Sequence, residues 1–157
     1  MVELRKDMFR DMVAGNEAHL VRLGEAFRHY FESAIPSGEY LGWVAQAENE
    51  IVGTAGLVIH AIPPRSDNLL GREGYIMNMY VVPGWRRHGI ARNLLCAALD
   101  FLRDQGVEKA SLHPRPDARR LYEQYGFTNS SEMRLTLRRP FDTPDRESSN
   151  PAMTEPH

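Results

Sequence analysis

The sequence predicts an α+β fold: a mixed, mostly antiparallel sheet with one parallel pair of strands at its centre, flanked by helices. Two short runs, the first alternating apolar and polar residues, are joined by a turn, which marks a β-hairpin. Further on, a strand-like run twice passes into a helix-like one, and strands linked through a helix lie parallel. The order is two helices, hairpin, strand–helix, strand–helix, strand. It fits within 157 residues, the length of one domain with a substantial core.

Leu4, Met8, Phe9, Met12 and Val13 mark one face of a short helix ending near Gly15. Asn16 suits the N-cap of a second helix, with Leu20, Leu23, Phe27, Tyr30, Phe31 and Ala34 as its buried stripe. Ile35-Pro36-Ser37-Gly38 breaks that helix. Tyr40 to Ala47 alternates, with Leu41, Trp43, Ala45 and Ala47 on one side. Glu48-Asn49-Glu50 then turns the chain into a second strand, Ile51 to Ile62. Gly53 and Gly56 inside it point to a bulge or to close approach of another group. Pro63 to Gly74 reads as a loop.

Tyr75 to Val82 is rich in aromatic, β-branched and methionine residues and is stopped by Pro83-Gly84, which predicts a strand. Helical spacing follows in Ile90, Leu94, Ala98, Phe101 and Leu102, and Gly106 supplies the stop. Val107 to His113 is the parallel partner strand. Pro114-Arg115-Pro116 leads into a helix over Asp117 to Tyr125, ended by Gly126. Met133, Leu135 and Leu137 alternate with Arg134 and Thr136 as a final strand. From Arg138 the composition shifts to Pro, Asp, Glu, Ser and Asn. Residues 1–139 are therefore expected to form one domain and 140–157 a disordered tail.

Charge is nearly balanced, 19 basic residues against 21 acidic, so no nucleic-acid partner is expected. No apolar run approaches the ~20 residues that span a bilayer, and no signal-peptide core opens the chain, so no membrane partner is expected either. The single cysteine, Cys96, makes no intrachain disulfide and no zinc site alone. It reads better as a small buried hydrophobe than as a nucleophile, and a reducing cytoplasm is the expected compartment.

Chemistry concentrates between the strand at 75–82 and the helix from Ile90. Arg86-Arg87-His88-Gly89-Ile90-Ala91 places a glycine and two arginines where helix N–H groups lack partners. Such a turn presents backbone donors, a partial positive charge and forked guanidinium donors, which suits a phosphate-bearing ligand. It also describes an ordinary strand-to-helix turn with solvated arginines. A P-loop is not present, since no Lys-Ser/Thr follows Gly89, and no G-x-G-x-x-G follows the strand.

Val-x-Pro-x-x-Arg-x-x-Gly-Ile-Ala, spelled by Val81 to Ala91 and followed by Leu94-Leu95, resembles the acetyl-CoA pyrophosphate loop of the GNAT superfamily of N-acetyltransferases. Arg86, Gly89 and Ala91 match the family's Arg/Gln-x-x-Gly-x-Gly/Ala. A second stretch, Ala118 to Phe127, resembles its Ala-x-x-Leu-Tyr-x-x-x-Gly-Phe. Tyr122 stands 33 residues beyond Gly89, a separation typical of the family. Together the motifs span roughly 75–137. The resemblance implies that the two parallel strands splay apart to admit acetyl-CoA as co-substrate, with no metal.

Position by position, Met79, Tyr80 and Val81 would offer backbone groups to the pantetheine amides. Arg87, His88, Gly89, Ile90 and Ala91 would offer N–H groups to the pyrophosphate, joined by Arg86 and Arg92. The Tyr122 hydroxyl would face the thioester sulfur. By helical spacing alone Tyr122 reads as a core aromatic beside Leu121 and Phe127. Two departures stand out: the family often has Asn where Arg115 lies, and it opens with a strand before its first helix. A missing edge strand leaves unpaired backbone for a second chain to cover, so a homodimer is expected.

Acetyl transfer needs a neutral amine. A lysine-like amine with pKa ~10.4 costs about 4.6 kcal/mol to neutralise at pH 7, so a base is useful. The family often places a carboxylate on the central strand. Residues 75–82 have none, and Tyr75 and Asn78 stand in its place. His113 is the remaining titrating candidate, as base or as a histidine packed at a strand end. The implied activity is N-acetyl transfer to a small-molecule or peptide amine by direct attack in a ternary complex. The alternative is an acyl-CoA-binding sensor without catalysis.

Overall fold

The computed structural model describes residues 17–135. The predicted helix at Leu4–Val13, the Asn16 cap and the tail from 140 lie outside the described residues. The chain divides into two units, Met1–Phe127 and Thr128–His157. In the first, the described elements are α1 (Glu17–Ala34), β1 (Leu41–Ala47), β2 (Glu50–Ala61), β3 (Arg72–Val81), a 3-10 turn (Pro83–Trp85), α2 (Ile90–Asp104), β4 (Lys109–Leu112) and α3 (Arg119–Glu123). In the second, residues 128–135 contain no strand. The alternation at Met133 and Leu135 therefore does not form the predicted strand. Thr136 and Leu137 lie outside the described residues.

The sheet order is β1-β2-β3-β4. The first two pairings are antiparallel and β3–β4 is parallel. The hairpin turn is the one predicted: Glu48 and Asn49 both have positive φ, 51° and 66°. Two left-handed residues in succession match the right-handed twist of the strands they join. β3 starts at Arg72 rather than Tyr75, because buried Asn68 brackets the Arg72 backbone, donating to its carbonyl and accepting from its N–H.

One face of the sheet packs on α2 through Leu57, Ile76, Leu95, Ala98, Leu102 and Tyr122. The other face packs on α1 through Phe27, Phe31, Ala34 and Tyr40, with Val58 and Met77 alongside. Leu57 and Val58 are adjacent and belong to different clusters, as strand alternation requires. The predicted α1 stripe holds except at Tyr30, which is 37% exposed and covers the edge of the Phe31 and Tyr40 rings.

Both glycines of β2 mark close approach. A Cβ on Gly53 would touch Ile90 and Leu94 of α2. A Cβ on Gly56 would stand 1.9 Å from the Tyr40 hydroxyl, and Tyr40 is fully buried. The tyrosine thus crosses the glycine to reach β3. Gly56→Ala is expected to destabilise the fold by roughly 1–3 kcal/mol, the cost of overpacking. Thermal denaturation checks this at about 2–4 °C per kcal/mol, and an unchanged midpoint would contradict the packing described.

Candidate active site

The parallel ladder is short. Its rungs run from Glu73↔Lys109 to Ile76↔Leu112, and there it stops. β3 continues through Met77–Val81, so those five residues face a gap where β4 would have paired them. At 3.3 Å per residue the open edge is about 17 Å long. Both strands contribute to the parting. On β4, Pro114 follows His113 and has no N–H to offer a ladder. On β3, Thr54 faces Tyr80 and Gly56 faces Met77, so Ala55 alone faces both Asn78 and Met79. That is a β-bulge, with Asn78 left-handed at φ 55°.

The bulge has a clamp. Asn78 Nδ2 donates to the Tyr40 hydroxyl at 2.8 Å, so its amide is engaged on the α1 side of the sheet. Met79 returns to the α2 side and packs against the cluster holding Tyr122. Tyr80 is buried, with the Arg86 guanidinium 5.8 Å from its ring centre. Arg86 Nε also donates to the Val81 carbonyl at 3.0 Å, which fastens that arginine to the strand end.

Beyond the open edge the chain bends through Pro83–Trp85 and enters α2. Arg87 has φ 69° and Gly89 φ 80°, with His88 between them. Such left-handed positions turn successive N–H groups toward one side. His88 Nδ1 donates to the Arg86 carbonyl at 2.8 Å, bracing the turn. No side chain caps α2 and no acidic residue sits in its first turn. The N–H groups of Ile90, Ala91 and Arg92 therefore lie at an unneutralised positive helix end. A Cβ on Gly89 would lie 3.6 Å from Arg92 Nη2, so that guanidinium reaches over the turn.

Tyr122 on α3 is 7% exposed and meets Phe127 edge-on at 6.0 Å. Its ring belongs to the core cluster. Burial, and secondarily the Asp117 carboxylate, push its phenol above the ordinary range. Tyr122 is thus a neutral donor across the whole neutral range. Tyr125, three residues on, instead accepts a weak hydrogen bond from Cys96 Sγ at 3.3 Å. His113 is exposed and is the first residue past the last rung of the ladder; its Nδ1 lies 3.2 Å from the Tyr75 hydroxyl. Arg115, at the family's Asn position, pairs with Asp117.

The sequence-predicted residues divide between the two faces: Met79 to Arg92 follow the open edge of β3 and the turn into α2, Tyr122 packs in the cluster on the α2 side, and Asn78 and His113 lie on the other side of the sheet. Sequence reasoning missed the Asn78–Tyr40 clamp and the Tyr75–His113 contact, which depend on strand register, and the anchoring of Arg86 to Val81, which depends on the turn between them. A cavity of about 480 Å³ lies between β1 and the first half of α2, lined by Trp43, Gln46, Val52, Trp85 and Leu94 among others, and it shares His88 and Ile90 with the turn. Among the described residues no group of three or more His, Cys, Asp or Glu side chains is placed to hold a metal ion. No described helix is long and apolar enough to cross a membrane.

The family model of the Acetyltransferase (GNAT) family matches residues 2–127, nearly the whole of the first unit. The chain belongs to this family. Its strand order and parallel β3–β4 pair accord with solved GNAT relatives. A GCN5-related N-acetyltransferase from Ralstonia eutropha superimposes with TM-score 0.77 at 28% identity, over 87% of this chain and 89% of that one. A predicted acetyltransferase from Clostridium acetobutylicum, solved with acetyl-CoA, gives TM-score 0.77 at 29% identity, over 87% and 86%. Human N-acetyltransferase 8 is 31% identical over 93 residues, 57% of this GNAT chain. The matched region spans about two-fifths of that relative, 39% of its length.

Proposed function

We propose that the protein transfers an acetyl group from acetyl-CoA to a primary amine, by direct attack while both substrates are bound. The observation that carries this reading is the open edge of Met77–Val81 leading to the uncapped, acid-free N-terminus of α2. Strand backbone groups suit an amide-bearing arm, and the helix end with Arg87 and Arg92 suits a pyrophosphate. Acetyl-CoA would supply the activated acyl group, and its presence in the Clostridium relative supports it as donor.

Within that reading the chain's own residues divide the work. Arg87 to Arg92 hold the phosphates through N–H groups and the Arg92 fork. Met79, Tyr80 and Val81 align the pantetheine arm along β3. Asn78 fixes the bulge through Tyr40 rather than touching the reacting atoms. Tyr122 donates to the departing sulfur, and His113 is the base for the amine proton. The two groups sit on opposite faces of the sheet. Leu112 lies in the cluster with Tyr122, and His113 is the next residue along the strand.

The test is release of free thiol from acetyl-CoA across a panel of amines: a polyamine, an amino sugar, an aminoglycoside, an amino acid and a peptide. At least one amine is expected to raise thiol release well above the amine-free rate. A protein that binds acetyl-CoA and releases no thiol with any of them would be a sensor, not a transferase.

A further inference from the structure

Tyr75 has no part in the division of work above, although the sheet sets it at the foot of the gap. It faces Ser111, one rung before the ladder ends, and His113 follows the last rung. The Tyr75 hydroxyl and His113 Nδ1 are 3.2 Å apart, and their rings meet edge-on at 6.1 Å. Ile76 belongs to the cluster with Tyr122, so alternation puts Tyr75 on the side away from it, with His113.

The surroundings of this pair are specific. The His60 ring lies 6.1 Å from Tyr75. Glu73, on the same side of β3, pairs with Arg65, and Lys109 opposite it pairs with Asp67. Arg115, beyond His113, pairs with Asp117. The α1 cluster that packs on this face contributes Phe27, Phe31, Ala34 and Tyr40, none of which titrates near neutrality. Among the described residues, then, the imidazoles whose rings meet Tyr75 are those of His60 and His113.

A phenol alone is a poor acceptor of an amine proton. One whose own proton passes to an imidazole in the same event is a good one. We infer that Tyr75 relays the amine proton to His113. As the nitrogen–carbon bond forms, the amine N–H proton moves to Tyr75 Oη, and the Tyr75 O–H proton moves to His113 Nδ1. The imidazolium then loses its Nε2 proton to water, which the exposure of His113 allows. Tyr75 ends neutral, the amine has lost one proton, and His113 is left as its Nδ1–H tautomer, which proton exchange with water returns to the Nε2–H form that accepts the next proton. This relay rests on the acetyl-transfer reading and gives β3 a proton acceptor where it has no carboxylate.

The experiment is turnover against pH for the parent, Tyr75→Phe, His113→Gln and the double variant, with the fastest amine of the panel. Parent turnover should rise with pH through a single midpoint. Each single variant should lose that midpoint and fall by ~10-fold or more at pH 7. The double variant should be no slower than the slower single, since both act on one path. A Tyr75→Phe protein that keeps the midpoint and turns over within twofold of the parent overturns the relay while acetyl transfer stands. Additive losses overturn it too. If no amine releases thiol, acetyl transfer itself fails and the relay falls with it. The ¹⁵N shifts of His113 provide a reading independent of turnover. Nδ1 should be the accepting nitrogen in the parent, and a protonated, donating Nδ1 overturns the relay.

Discussion

Tyr122→Phe is expected to lower turnover at least ~10-fold while leaving acetyl-CoA affinity within a few-fold of the parent. As the acyl group leaves, charge builds on a sulfur whose thiol has an ordinary pKa of ~8.5, against ~10 for a phenol. Full proton transfer from the phenol is therefore uphill by about 2 kcal/mol. Burial and the Asp117 carboxylate raise the Tyr122 phenol further, so the hydroxyl stays protonated and acts by hydrogen bonding. An interaction that strengthens as charge develops lowers the barrier more than it tightens binding. The buried ring keeps its packing in the phenylalanine variant, which confines the change to one oxygen. Tyr125→Phe is the control. It loses a weak contact with Cys96 and should turn over like the parent. Equal turnover of Tyr122→Phe and parent, with chemistry rate-limiting, would reduce Tyr122 to a core residue.

Gly89→Asp is expected to abolish the stabilisation that acetyl-CoA confers. With ligand at 100 times the parent's Kd, that stabilisation is about 2.7 kcal/mol. The position is left-handed at φ 80°, where Asp and Asn are among the better tolerated non-glycine residues. A Cβ there meets only Arg92 Nη2, at an ordinary 3.6 Å. The aspartate variant should therefore fold. Its carboxylate would engage Arg92 and oppose phosphate at the helix end. Gly89→Asn has the same shape without the charge and should retain more of the melting shift. An undiminished shift in Gly89→Asp would place the phosphates elsewhere.

Much of this site is legible in the sequence because local chemistry dictates it. Pro83-Gly84 ends a strand, Gly89 opens a helix whose apolar stripe starts at Ile90, and Gly106 closes it at φ 66°. Gly53 and Gly56 announce close neighbours before those neighbours are known. What the sequence hides is pairing. Asn78 reads as a polar residue standing in for a missing base. Only the register of β2 against β3 reveals a bulge residue held by Tyr40, 38 positions away. Tyr75 and His113 are each visible as candidates, but their contact depends on which rung of a parallel pair is the last. Met133 and Leu135 alternate like a strand, yet alternation states a preference for an edge and cannot supply one.

Amide hydrogen exchange with and without acetyl-CoA tests the central claim most directly. Peptides covering Met77–Val81 and Arg87–Arg92 lie along the edge left open by β4 and the turn into α2, and bound cofactor should slow their exchange. Exchange in β1, Leu41–Ala47, on the far wall of the 480 Å³ cavity, should stay unchanged. Protection confined to that outer strand and the face of α2 behind it, with 77–81 and 87–92 unaffected, would contradict the account.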